Sequence, residues 1–276
     1  MAIGSWWQTL VGPGRASPQA AVEPPRRGLT QLWSFAGGDG CTLEIAAARW
    51  GHRLHDELDE PFAVGPLPDG GAALALCDGS GDWGDGVQAS RAVVRRLAAS
   101  LGAAQGSFED GLAQAFADAQ QVLRTQFPGD DFGSSCSAIA ALVDGGQARV
   151  GWSGGCEAQL LRAGALAEHT EAHLLWRENK EHGAALRDRP EGAVVTRSLT
   201  SDGEVRTPGV SPAWTLEPGD VLLLGSIELG RRLTAEQLGQ LVVPGDAAAS
   251  LHAVLEATFA VDRYHEAAAV VLTVKP

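Results

Sequence analysis

Lysine is nearly missing from this 276-residue chain: only Lys180 and Lys275 carry an ε-amino group, and every other basic side chain is arginine or histidine. Basic charge as a whole is short, with 21 Lys and Arg against 34 Asp and Glu, for a formal net charge of −13 and a pI near 4.9. A surface of that sign repels phosphate backbones and anionic lipid, which argues against nucleic acid and membrane surfaces as partners. Cys-x-x-Cys spacing is absent too. Cys41, Cys77, Cys136 and Cys156 lie far apart, each inside or beside an apolar or small-residue run, so thiolate zinc is not indicated. Four thiols in a chain of this length read as buried small hydrophobes rather than a disulfide framework, and a reducing, cytoplasmic setting is the expectation. No stretch approaches the roughly 18 apolar residues of a membrane span, and no basic segment followed by an apolar one opens the chain. A soluble protein is therefore expected.

Apolar residues make up 45% and charged residues 20% of the chain, an ordinary globular composition that excludes disorder throughout. The length suits one large domain. Heavy Ala and Gly usage, with Arg in place of Lys, is the composition a GC-rich bacterial genome produces. Residues 1–40 contain Gly12-Pro13-Gly14, Pro18 and Pro24-Pro25-Arg26-Arg27, which resist regular structure and read as an extended N-terminal arm. Trp6, Trp7, Leu10 and Val11 are placed to dock that arm on its own domain or on a partner.

Residues 41–276 read as one domain. Short strands are expected at Thr42 to Ala48, Phe62 to Val64 and Ala72 to Cys77, each bounded by Gly, Pro or Asp. Val87 to Leu101 and Phe108 to Phe127 have the apolar spacing of two amphipathic helices in sequence. Strands follow at Ser137 to Val143 and Ala148 to Ser153 around Asp144-Gly145-Gly146, a turn that tolerates positive φ. Gln159 to Arg162 and Leu166 to His169 repeat the pattern around Ala163-Gly164-Ala165. A helix is expected at Leu174 to His182, strands at Ala193 to Ser198 and Val221 to Gly225, helices after Thr234 and at Ala247 to Phe259, and a closing strand at Ala268 to Val274. Helix pairs segregate from antiparallel strand runs, which predicts a layered α+β sandwich rather than alternating βαβ units.

The chemically informative stretch is Ala72 to Asp82, an apolar strand that ends on Asp78-Gly79. A carboxylate at the end of a buried strand, beside a bare glycine backbone, is a natural seat for a hard cation. Asp before Gly is equally a turn former that caps the next helix. Gly79-Ser80-Gly81-Asp82-Trp83-Gly84 matches G-x-G-x-x-G, but Asp78, Asp82 and Asp85 would crowd a pyrophosphate with like charge. A calcium loop fails as well, because its sixth position is Trp83 and its twelfth is Ala89.

The order of segments from Thr42 to Val274 resembles the metal-dependent protein phosphatases of the protein phosphatase 2C (PPM) family. An Arg-containing loop leading to an acidic pair is similar to Arg53 before Asp59-Glu60. The family's Asp-Gly turn and following helix are matched by Asp78-Gly79-Ser80-Gly81-Asp82 and Gly86-Val87-Gln88-Ala89-Ser90. Gly133-Ser134-Ser135 and the hairpin Ser153-Gly154-Gly155-Cys156-Glu157 resemble two further motifs, and Leu216-Glu217-Pro218-Gly219-Asp220-Val221 another.

The resemblance implies a four-layer α-β-β-α sandwich of two antiparallel sheets flanked by antiparallel helix pairs. It also implies two Mg²⁺ or Mn²⁺ ions that activate water against a phosphoserine or phosphothreonine. On it, Asp78 is the bridging ligand with the Gly79 carbonyl beside it, and Asp59, Glu60 and His265 are further candidate ligands. Arg53 is the candidate phosphate clamp, a role suited to a planar guanidinium. The chain departs from the pattern at three acidic positions. Ser-Asp-Gly-Leu here reads Ser226-Ile227-Glu228-Leu229, the terminal Asp-Asn reads His265-Glu266, and the hairpin aspartate is Gly155. Glu228 is a substitute only if its side chain turns inward, and His265 suits Mn²⁺ better than Mg²⁺. The expectation is a pseudophosphatase that binds a phosphorylated protein or a Ser/Thr kinase, with an active Mn- or Mg-dependent Ser/Thr phosphatase as the alternative.

Overall fold

A computed structural model of the chain describes residues 26–28, 30–37, 40–51, 61–79, 86–104, 106–128, 134–144, 146–179, 181–186, 189–202, 207–261 and 266–276. Its strands are β1 (Arg26–Arg27), β2 (Gln31–Ala36), β3 (Thr42–Gly51), β4 (Phe62–Pro66), β5 (Ala72–Gly79), β6 (Ser135–Asp144), β7 (Gln147–Ser153), β8 (Glu157–Arg162), β9 (Ala165–His169), β10 (Leu199–Thr200), β11 (Gly209–Val210), β12 (Trp214–Thr215), β13 (Val221–Gly225) and β14 (Ala267–Lys275). The helices are α1 (Gly86–Gly102), α2 (Phe108–Gln126), α3 (Leu175–Glu178), α4 (Gly183–Leu186), α5 (Ile227–Arg232), α6 (Ala235–Leu241) and α7 (Ala247–Val261).

The strands form two antiparallel sheets of seven strands each. The first runs β1-β3-β14-β13-β8-β9, with β2 also paired to β3; the second runs β11-β7-β6-β5-β4, with β10 on β6 and β12 on β7. Alternation along each strand sends successive side chains to opposite faces. Leu43, Ile45 and Ala47 of β3, Leu74 and Leu76 of β5, Leu222 and Leu224 of β13, and Ala268, Val270 and Leu272 of β14 therefore meet between the sheets. The intervening residues turn outward. Ala46, Ala48, Leu223 and Val271 pack under Leu229, Leu238, Leu251 and Leu255 of α5 to α7. Ala73, Ala75, Cys77 and Ala140 pack under α1 and α2. The result is the α-β-β-α sandwich expected, with three stacked apolar layers.

The helices form where spacing and caps agree. In α1, Ala89, Val93, Leu97 and Leu101 are buried at four-residue intervals, so one stripe faces the sheet. Ser107 caps α2 by accepting from the Asp110 amide at 3.1 Å, and Thr234 with Gln237 makes a capping box on α6. Among the described residues no helix is long and apolar enough to cross a membrane.

Three expectations need correction. The first sheet starts before Cys41, because Gln31–Ala36 pairs in register with Thr42–Ala47 of β3 inside the span read as an arm. The helix expected over Leu174 to His182 stops at Glu178 and resumes at Gly183, with the Asn179 side chain accepting from the His182 amide at 3.0 Å. Ala193 to Ser198 is not a strand. It follows a 3₁₀ turn at Pro190–Ala193 and makes a single bridge, Leu174 to Val195. Apolar periodicity over five residues cannot distinguish a strand from a loop that buries alternate side chains.

A half-buried ion pair ties β8 to the turn before β13. Asp220, with a side chain only 2% exposed, accepts from Arg162 Nε at 2.9 Å and Nη2 at 2.7 Å, and from the Glu217 amide at 2.9 Å. Asp220→Asn keeps the shape but removes the charge from these bonds. It is expected to cost about 1–3 kcal/mol, read as a Tm lowered by about 3–8 °C in a thermal melt; an unchanged Tm would contradict this account.

Candidate functional site

The inter-sheet apolar stripe runs out at one rim of the sandwich, and the same alternation that buries leucine further along presents polar groups there. Asp78 follows Leu74 and Leu76 on the inner face of β5, and Arg49 follows Ile45 and Ala47 on the inner face of β3. Ser226 follows Leu222 and Leu224 past β13, and Glu266 precedes Ala268 ahead of β14. Arg49 and Ala268 are register partners. These side chains, with Gly79, Ser90, Arg91 and Pro61, line a cavity of about 70 Å³.

Local hydrogen bonds hold the rim. Arg49 Nη2 forms an ion pair with Glu266 Oε2. Ser226 Oγ accepts from the Ala268 amide at 3.1 Å, while the Ser226 amide donates to the Ala268 carbonyl at 2.9 Å. Ser90 Oγ donates to the Gly86 carbonyl at 2.6 Å, in the first turn of α1. Gly79 has a steric reason: a β-carbon there would lie 2.4 Å from the Gly86 carbonyl oxygen and 2.6 Å from Ser90 Oγ. The close approach of α1 to the end of β5 therefore excludes a side chain at this position.

Asp78 Oδ2 accepts from the Ile227 amide at 3.3 Å, a long contact from the start of α5. Burial is the main influence on its carboxyl and lifts its pKa from 3.8 to about 6. The Ile227 amide and the Arg49 guanidinium pull the other way, and Glu228 and Glu266 push further up. Glu228 does not turn into the cavity. Its Oε1 and Oε2 pair with Arg231 and Arg232, both at 3.1 Å, because Ser226-Ile227-Glu228-Leu229 opens a helix and directs Glu228 along it.

A hard divalent cation takes about six oxygen donors. The described part of the cavity offers the Asp78 carboxylate, the Gly79 backbone and a Glu266 already paired with arginine. Among the described residues there is no group of three or more His, Cys, Asp or Glu arranged to hold a metal. Two of the three positions that depart from the family pattern lie against each other: a β-carbon on Gly155 would sit 2.9 Å from Cδ1 and 3.1 Å from Cγ1 of Ile227. The Ile227 side chain thus occupies the space in front of Gly155. The described residues do not fit a two-metal centre.

Of the residues singled out from sequence, Asp78 and Gly79 are at the cavity. Arg53, Asp59, Glu60 and His265 lie outside the described residues. Arg49, Glu266, Ser226 and Arg91 were missed. A signal for the first three exists, since each continues by twos from a run of inner-face apolar residues; Arg91 lies on α1 and shows no such pattern.

The two-sheet architecture is that of a protein phosphatase 2C-like sandwich. No family model matches the chain. It is 29% identical over 210 residues to human probable protein phosphatase 1N, covering 71% of this chain and 48% of that protein, so the chain spans about half the length of that curated relative. The structure of the Mycobacterium tuberculosis serine/threonine phosphatase PstP/Ppp superposes with a TM-score of 0.68 at 20% identity, over 92% of this chain and 100% of the other. The PstP catalytic domain in complex with two manganese ions gives a TM-score of 0.67 at 24% identity, over 85% and 100%. The chain is thus similar in sequence to one protein phosphatase and has the fold of the solved serine/threonine phosphatases.

A carboxyl with a pKa of about 6 when folded and 3.8 when unfolded holds its proton better in the folded state. Its contribution to stability therefore declines as pH rises from about 4 to 6, and keeping it charged at pH 7 costs on the order of 1–3 kcal/mol. Asp78→Asn is expected to raise Tm at pH 7.5 and to leave it unchanged near pH 4. A Tm that falls at pH 7.5 would show a carboxylate stabilised in place.

Proposed function

We propose that the chain is a protein phosphatase 2C-like module that binds a phosphorylated protein or a Ser/Thr kinase, with phosphoester hydrolysis lost or strongly impaired. The observation that supports this reading is the contact of Ile227 with Gly155; the Ile227 amide also meets the Asp78 carboxyl, so that an apolar residue adjoins the acid of the Asp-Gly turn. Metal-assisted hydrolysis requires a cation that lowers the pKa of water and neutralises the phosphoryl oxygens. Without several oxygen donors, a hard Mn²⁺ or Mg²⁺ ion is not held against its own hydration. The net charge of −13 favours a partner that brings basic side chains around its phosphorylated residue.

An active Mn- or Mg-dependent Ser/Thr phosphatase is the second reading, favoured by the retention of Asp78 and Gly79 at the cavity. It would draw its ligands from Asp59, Glu60, Asp78 and His265; Glu228, committed to two arginines, is no longer in that set. Hydrolysis of p-nitrophenyl phosphate by the full chain in millimolar Mn²⁺ separates the two. The proposal expects a rate that is the same with and without Mn²⁺ and in Asp78→Ala. A robust Mn²⁺-dependent rate abolished by Asp78→Ala would establish the second reading instead.

A further inference from the structure

Among the described residues the rim cavity is lined by two acids and two arginines, Asp78, Glu266, Arg49 and Arg91, whose formal charges cancel. Three of the four are delivered by the sheets' own alternation, on strands whose neighbouring residues are fully packed. Arg49 extends the inner face of β3, with a side chain 14% exposed, and Glu266, 33% exposed, anchors it through an ion pair. Their backbones are neighbours, since Arg49 pairs with Ala268 two residues past Glu266. Gly51 makes room for this arrangement: a β-carbon there would lie 2.5 Å from Glu266 Cγ. Asp78 reaches the same cavity from the opposite sheet. A guanidinium is therefore fixed in a cavity that oxygen donors reach from both sheets, and a divalent cation entering that cavity meets like charge in poorly solvated space.

We infer that Arg49, anchored by Glu266, stands in for a divalent cation beside Asp78, so that this centre is charge-balanced by a built-in guanidinium. The inference rests on the pseudophosphatase reading and deepens it: loss of metal binding is then an active exclusion by a positive side chain in addition to the loss of ligands. Ile227 packs on Gly155, and Arg49 supplies the charge that a metal would have supplied. Removing that charge while leaving Asp78 and Glu266 in place converts the rim into a pair of carboxylates with a backbone carbonyl nearby, a donor set that attracts Mn²⁺.

The experiment is Mn²⁺ titration of the full-length chain, stripped with EDTA and desalted, with free Mn²⁺ read by electron paramagnetic resonance. Arg49→Ala is expected to bind Mn²⁺ at least tenfold more tightly than wild type, about 1.4 kcal/mol, and Arg49→Ala with Asp78→Asn is expected to return to the wild-type value. Arg49→Met, which keeps the aliphatic stem, gives the same readout if Arg49→Ala does not fold, with folding checked by circular dichroism. Binding that is unchanged or weaker in a folded Arg49 variant overturns the inference while leaving the inactive reading intact. Wild-type binding of two Mn²⁺ ions together with Mn²⁺-dependent turnover overturns both.

Discussion

Face-to-face packing of two twisted sheets is the constraint on which everything else depends. Leu43, Ile45, Leu74, Leu76, Leu222, Leu224, Val270 and Leu272 are 2% or less exposed, and their burial leaves each strand no freedom to slip by one residue without turning its apolar set outward. With register locked, the identity of whatever follows at the rim is locked as well. Asp78, Arg49, Ser226 and Glu266 meet because each lies an even number of residues from a buried inner-face position. The described part of the cavity is a by-product of core packing, because its strand-borne residues take their positions from the buried register.

Burial gives the electrostatics their weight. An aspartate at the end of a buried strand sheds much of its hydration, and its pKa rises toward 6 because no strong donor set meets it. A single long bond from the Ile227 amide and a nearby arginine only partly compensate. In a cleft built to hold cations, the same aspartate would be the most valuable group present. Here Ile227 packs on Gly155 nearby and the Arg49–Glu266 pair lines the same cavity.

A second set of polar contacts holds the segment after β9 against the same end of the molecule. Glu157, on the outward face of β8, accepts from Arg177 Nε at 2.8 Å, and Arg177 stacks on Trp176, 4.4 Å from the ring centroid. His173 donates its amide to the Gly154 carbonyl at 2.8 Å, and its Nδ1 accepts from the Gly154 amide at 3.2 Å. Burial, with Arg197 adding to it, lowers the His173 pKa, in keeping with an unprotonated Nδ1. These bonds brace the Gly154-Gly155 turn from outside while Ile227 packs on it from within.

Much of this was legible in the residues alone. Period-two alternation, helical spacing and turn chemistry located the two sheets, the two helices that follow the Asp-Gly turn, and the place of Asp78 at a strand end, because those features depend on neighbours a few positions away. The reading failed where the outcome depended on distant chain segments. Gln31–Ala36 became an edge strand only because β3 offered unpaired backbone. Leu174 to His182 broke into two short helices under local packing, and Glu228 was claimed by arginines one turn on. By itself the sequence determined the layered α+β architecture, since periodicity is a property of the chain, and its resemblance to the phosphatase pattern marked Gly155 and Ile227 as positions where acids are not found. Only the tertiary structure decided that Ile227 would pack on Gly155 and that Arg49 would share a cavity with Asp78, because such pairings arise when the two sheets close on one another and bring together residues from separate strands.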